Sequence, residues 1–236
     1  MSEHADAGLR GGFAGDAGKR MHRPEWIAFD LNGTLLDPAA MLDGAHAEVA
    51  RAALDDAVLQ AMADTLTGEH RPFPEYLRAA LERSLRVAGI ENAVLDEAMR
   101  RARTLSAFPD AAGALASLAA AGYRIAVVTN SARDAAQTAI AAAGLDRHVE
   151  TVIGADEVGA YKPDPRVYRH AAARLETQPD SVCLVAAHGW DILGALRAGW
   201  GAAWVAHREQ HLLATVPEPT LIAASLQDAA EQLARR

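Results

Sequence analysis

Asp30-Leu31-Asn32-Gly33-Thr34-Leu35-Leu36-Asp37 is the stretch on which the reading of this chain turns. It follows a short apolar run, and residues 26–30 together read as a buried strand ending on a carboxylate. Gly33 lets the backbone leave the sheet sharply. In open α/β sheets ligands bind beyond the carboxyl ends of the strands, so an Asp there, followed by a tight turn, faces a site. Strand side chains alternate, which sends Asp30 and Asn32 towards the same region. A turn or cap role for Asp30 alone is the competing reading, and the later motifs weigh against it.

Composition narrows the classes. A chain of 236 residues, half of them hydrophobic, can bury a sizeable core. A formal charge of −8 with no basic block argues against a nucleic-acid surface. No apolar run is long enough to span a bilayer, so no membrane partner is expected. The lone Cys183 lies in an apolar run and has no internal partner, which fits a reducing cytoplasm. Residues 1–23 are Gly- and Ala-rich without a signal-peptide core and read as a disordered tail.

Beyond Asp37-Pro38 the pattern is helical over 45–66, 73–87 and 93–105, with no strand alternation. Residues 38–107 therefore read as a helical cap inserted into a Rossmann-like core of 24–37 and 108–236. Strand–helix alternation resumes at Phe108-Pro109-Asp110, with Asp110 as N-cap of a helix over 111–120. Strands are expected over 124–129, 151–153, 182–187 and 202–205. Helices are expected over 132–143, 165–175 and 221–234. This alternation predicts an α/β fold, a doubly wound parallel sheet. Its strand ends and loops present Asp30, Thr129, Lys162 and Asp191. Singly, these could be a strand-end hydroxyl, a surface lysine and helix caps. A carboxylate nucleophile, however, needs a cation to keep it ionised and donors to orient it.

Asp30-x-Asn32-Gly33-Thr34, Thr129-Asn130, Lys162-Pro163-Asp164 and Asp191, in this order, resemble the four motifs of the haloacid dehalogenase superfamily. Most of its members are phosphatases, so the fold leaves the reaction open. Two positions discriminate. The phosphatases carry an acid–base Asp where this chain has Asn32, and a second fourth-motif Asp, a Mg²⁺ ligand, where it has Ala187. Mg²⁺ favours an octahedron of oxygens, usually including carboxylates. The chain is more similar to the L-2-haloacid dehalogenase (type II) branch, which uses no metal or other cofactor. Residues 161–168, including Tyr168, match that branch's third motif, 184–191 its fourth in layout, and 105–110 its cap-to-core return.

The resemblance implies hydrolysis of small 2-halocarboxylates. Asp30 attacks the halogen-bearing carbon and displaces halide with inversion; water then cleaves the aspartyl ester. Lys162 keeps Asp30 ionised, while Thr34, Thr129 and Asn130 orient it and bind the substrate carboxylate. Leu31, Asn32 and Tyr168 complete the implied substrate pocket. The branch's halide-facing cap arginine falls near Leu54, where none is present, leaving Arg51, His70 or Arg71 to approach instead; Arg71 is the candidate retained. His188 replaces an asparagine of the fourth motif, and with Asp191 it could activate water near neutral pH or simply bond backbone in a tight turn. Trp190 is expected to pack. A phosphoryl-transfer enzyme and a catalytically silent binding protein stay as alternatives, and a homodimer stays open.

Overall fold

The computed structural model describes residues 23–236, so the expected tail lies outside the described residues except for Arg23. Six parallel strands form one sheet: β1 (Trp26–Phe29), β2 (Arg124–Thr129), β3 (Thr151–Gly154), β4 (Val182–Ala186), β5 (Gly201–Val205) and β6 (Leu221–Ala223). Their order is β3-β2-β1-β4-β5-β6. The chain winds outwards from β1 in one direction and from β4 in the other, which leaves a crevice above their carboxyl ends.

Period-two alternation divides the sheet's side chains between two cores. Ile27, Phe29, Ile125, Val127, Cys183 and Val185 join one. Trp26, Ala28, Ala126, Val128, Leu184 and Ala186 join the other. Both faces are covered, so the strands read as continuous apolar runs.

Between β1 and β2 come α1 (Ala47–Thr67), α2 (Phe73–Val87), α3 (Leu95–Arg101) and α4 (Ala111–Ala120). In α1 the buried residues Ala50, Ala53, Leu54, Ala57, Val58 and Ala61 recur at helical spacing along one stripe. The α1 helix ends on Gly68, whose φ of 86° is left-handed. Chain entering and leaving α1–α3 runs side by side. Asp37 N–H donates to the Ser106 carbonyl and Phe108 N–H to the Leu35 carbonyl, both at 2.9 Å.

The remaining helices are α5 (Arg133–Ala142), α6 (Pro165–Arg174), α7 (Gly189–Arg197) and α8 (Leu226–Ala234). Asp164 caps α6 by accepting from Arg166 N–H at 2.8 Å, as its place before a first-turn proline suggests.

Three local expectations are corrected. Residues 221–234 are not one helix: Leu221–Ala223 pairs with β5, and Ser225 then caps α8 by accepting from Asp228 N–H at 3.1 Å. The third cap helix is only Leu95–Arg101, because Ser106 and Phe108 are drawn into the paired connection. Asp110 makes no side-chain cap bond to α4; it accepts instead from Gln227 N–H in α8 at 3.2 Å. Among the described residues no helix is long and apolar enough to cross a membrane.

Candidate active site

The backbone of β1 keeps its pairing as far as Asp30, whose N–H donates to the Val185 carbonyl at 3.1 Å. It then turns. The Leu31 carbonyl accepts from the N–H groups of Thr34, Leu35 and Leu36, and Gly33 adopts a φ of 87°. A Cβ on Gly33 would stand 2.5 Å from His188 Cε1, so both the backbone and the neighbouring imidazole require glycine. The turn brings the Thr34 hydroxyl back to donate to Asp30 Oδ2 at 2.8 Å, while its oxygen accepts from Ala187 N–H at 3.0 Å. Thr34 thus fastens the end of β1 to the end of β4.

Lys162 is buried completely, and its ammonium is saturated. Nζ donates to Asp30 Oδ1 at 2.9 Å, to the Val128 carbonyl at 2.9 Å and to Asp191 Oδ2. Those are all three donors of the group. Asn130 fixes the loop that delivers it, accepting from Lys162 N–H at 2.8 Å. Asp191 lies in the first turn of α7, and its other oxygen accepts from the Tyr168 hydroxyl at 2.6 Å.

The charges settle accordingly. Burial alone would raise the Asp30 carboxyl; the Lys162 charge and the His188 hydrogen bond outweigh it and hold Asp30 well below the usual carboxylate range. Burial opposes the Lys162 ammonium, yet Asp191 and Asp30 together push its pKa up. Asp191 moves the other way: burial raises it, Lys162 lowers it, and the like charge of Asp30 tips the balance upwards. Asp30 is therefore the carboxylate held ionised, with Lys162 as its counter-ion.

His188 follows β4 and sets Nδ1 3.3 Å from Asp30 Oδ2. Trp190 stacks on the imidazole, with ring centres 5.2 Å apart, and also lines a small cavity. That inner cavity, about 20 Å³, lies directly over Asp30 and has room for about one water. Asn32, Thr129, Asn130 and His188 line its floor with Asp30; Leu54, Val58 and Phe73 of α1 and α2 roof it with Trp190. Thr129 Oγ1 accepts from Ser131 N–H at 3.1 Å, leaving its own proton available. The Asn32 amide donates to Ser131 Oγ at 3.1 Å.

Three expected substrate-binding residues lie elsewhere. Arg71 is largely exposed, pairs with Asp64 at 3.2 Å and lines neither the cavity nor the groove beside it. Its backbone carbonyl accepts from the Tyr161 hydroxyl, which ties the loop to the residue before Lys162. Tyr168 stands behind Asp191, and Leu31 is buried in the turn; neither borders the cavity. His70 stacks on Tyr161 at 4.9 Å. Arg51 reaches only the outer groove, between Asp37 and Glu48.

The sequence reading missed His207, Arg208 and Glu209, on the loop after β5. His207 Nε2 is 3.0 Å from the Gly33 carbonyl, Arg208 pairs with Asp55 of α1, and Glu209 accepts from Gly189 N–H. A charged run immediately beyond an apolar strand, at the edge bearing the other motifs, was the available signal.

A divalent metal does not fit this donor set. The ammonium of Lys162 stands between the Asp30 and Asp191 oxygens. Among the described residues no group of three His, Cys, Asp or Glu side chains could hold an ion.

Comparison with known proteins gives a consistent picture. A family model described as haloacid dehalogenase-like hydrolase matches residues 24–199. The (S)-2-haloacid dehalogenase 4A of Burkholderia cepacia is 36% identical over 181 residues, 73% of this chain and 78% of that protein. The (S)-2-haloacid dehalogenase 1 of Pseudomonas sp. (strain CBS-3) is 36% identical over 180 residues, 71% of this chain and 78% of that protein. A crystal structure of a dehalogenase with an intermediate complex superposes with a TM-score of 0.84 at 29% identity, covering 91% of this chain and 99% of that one.

Proposed function

The chain belongs to the haloacid dehalogenase-like hydrolases, and from that premise we propose that it hydrolyses small 2-haloalkanoic acids by way of an aspartyl ester, without a metal. One observation carries the reading: a buried carboxylate is kept ionised by a lysine ammonium in contact with it. Position 32 supports it, offering an amide where a phosphatase needs an acid. An anionic carboxylate with an amide at the phosphatases' acid position suits displacement of halide, a leaving group that needs no proton. The metal-dependent phosphatase reading lacks both its acid and a cation cage.

An Asp30 oxygen attacks C2 of the substrate. The new C–O bond forms as the carbon–halogen bond breaks, halide leaves with the electron pair, and C2 inverts. The Thr129 hydroxyl and the Asn32 and Asn130 amides hold the substrate carboxylate, and Thr34 orients the nucleophile. Water then adds to the Asp30 carbonyl carbon and gives one proton to His188. The acyl–oxygen bond breaks as His188 returns that proton to the departing oxygen, the 2-hydroxy acid leaves, and Asp30 sheds the second water proton to solvent, restoring its carboxylate. The roof of Leu54, Val58 and Phe73 excludes bulk water while the ester exists.

Purified protein offered a panel of 2-haloacids and phosphate esters is expected to release halide at the same rate with and without EDTA, and no phosphate. Halide release that disappears with chelator and returns with Mg²⁺ would overturn the reading.

His188→Ala is expected to separate the two half-reactions. Halide should appear as a burst of about one equivalent per site while the ester accumulates and turnover falls about a hundredfold or more. Intact mass spectrometry of the quenched enzyme would reveal the adduct. Undiminished turnover would return His188 to a structural role.

A further inference from the structure

Beside the inner cavity lies a larger groove of about 650 Å³, and the two share Val58, His188 and Trp190 as a common wall. Four charged side chains of the groove are engaged by protein. Arg51 is held between Asp37 and Glu48, which occupies Glu48 as well, and both oxygens of Glu209 face Gly189 N–H at 3.1 and 3.0 Å. Asp55 contacts Arg208. Arg208 differs from Arg51. Its side chain is only 13% exposed, its stem passes beside Gly33, and one guanidinium nitrogen meets Asp55. Among the described residues it has no second acceptor. A guanidinium carries five N–H donors in a planar fork that matches a carboxylate.

We infer that this outer groove is a docking site for a small carboxylate, with Arg208 as its receptor. Asp55 is the internal competitor. It is 55% exposed, so its hold on Arg208 is weakened by solvent and an incoming carboxylate can replace it. The groove's position also fits a stage before chemistry. The inner cavity of about 20 Å³ has no room for a haloacid until its roof moves. Asp55 stands on the same helix as the roof residues Leu54 and Val58, so exchange at Arg208 removes a contact that holds this helix to the core loop. Identifying the docked carboxylate as incoming substrate rests on the dehalogenase reading; the binding itself does not.

Propanoate, an unreactive carboxylate, is the probe, titrated calorimetrically into the full chain and its variants, with chloride as a separate arm. Arg208→Gln is expected to weaken propanoate binding about tenfold or more, and Arg208→Lys less, since it keeps the charge but loses the fork. Asp55→Asn is expected to tighten binding several-fold by removing the competitor, and in the Arg208→Gln background to change nothing. A purely structural ion pair would instead move the affinity in the same direction for both single variants, or not at all, and either result overturns the inference. Chloride binding as tightly as propanoate would overturn it too. If Arg208→Gln does not fold, Arg208→Lys and Asp55→Asn still give the opposed shifts. Halide release by a chain whose propanoate affinity ignores Arg208 would sink the groove alone. Arg208-dependent propanoate binding without dehalogenation of any 2-haloacid would sink the catalytic reading alone.

Discussion

Asp30→Ala is expected to lower halide release by far more than a hundredfold, while circular dichroism shows the native fold retained. The rate effect is large because removing a covalent nucleophile eliminates the pathway itself, and such losses commonly reach several powers of ten. The fold should survive because Lys162 keeps Asp191 and the Val128 carbonyl as acceptors. A residual rate above about one hundredth of the parent would mean that another group attacks the substrate.

Lys162→Ala is expected to damage both activity and fold. It leaves Asp30 and Asp191 buried without their common cation. Breaking a buried pair in this way costs about 3–5 kcal/mol, and at about 2–4 °C per kcal/mol for a chain of this size the melting temperature should fall by about 10 °C. Turnover at neutral pH should drop by about a hundredfold or more, because burial is then less opposed and the Asp30 carboxyl rises. The pH dependence carries a sign. In the parent, Asp30 lies below its unfolded value, so its stabilising contribution is present above the ordinary carboxylate range and is lost only on acidification. In the variant a raised Asp30 reverses this: stability declines as pH rises, while residual activity increases. Lys162→Ala combined with Asp191→Asn should recover part of the melting temperature and none of the rate. Recovery of both would make Lys162 a structural cation only.

The sheet was legible in the sequence wherever a strand was apolar throughout and ended on a turn residue, as at residues 26–30 and 182–187. Leu221–Ala223 escaped because three residues carry too little pattern, and their strand character comes from pairing with β5. The contraction of α3 has the same origin, since Ser106 and Phe108 take partners about seventy residues away. Within the site, Asp30, Thr34, Lys162, His188 and Asp191 were traceable as strand-end and loop residues converging on one edge. The placement of Arg71 off the cavity was not legible because its loop is tied to Tyr161, ninety positions later. Arg208 went unnoticed because its partner Asp55 lies 153 positions earlier. What remained hidden in each instance was a long-range pairing.

The paired connection of Leu35–Asp37 with Ser106–Phe108 has an evolutionary consequence. Its two segments leave and rejoin the core as hydrogen-bonded neighbours, so from the sheet's side the chain between them is one excursion. The entropic cost of closing such an excursion grows only slowly with its length. Insertions, deletions or whole replacements between residues 38 and 105 can therefore be tried without altering the register of β1, provided the contacts of Thr65 and Arg71 with Tyr161, the neighbour of Lys162, are kept. Selection can change which molecules are admitted while inheriting the reactive group intact, and chimaeras joined at these two points are the natural way to repeat that experiment at the bench.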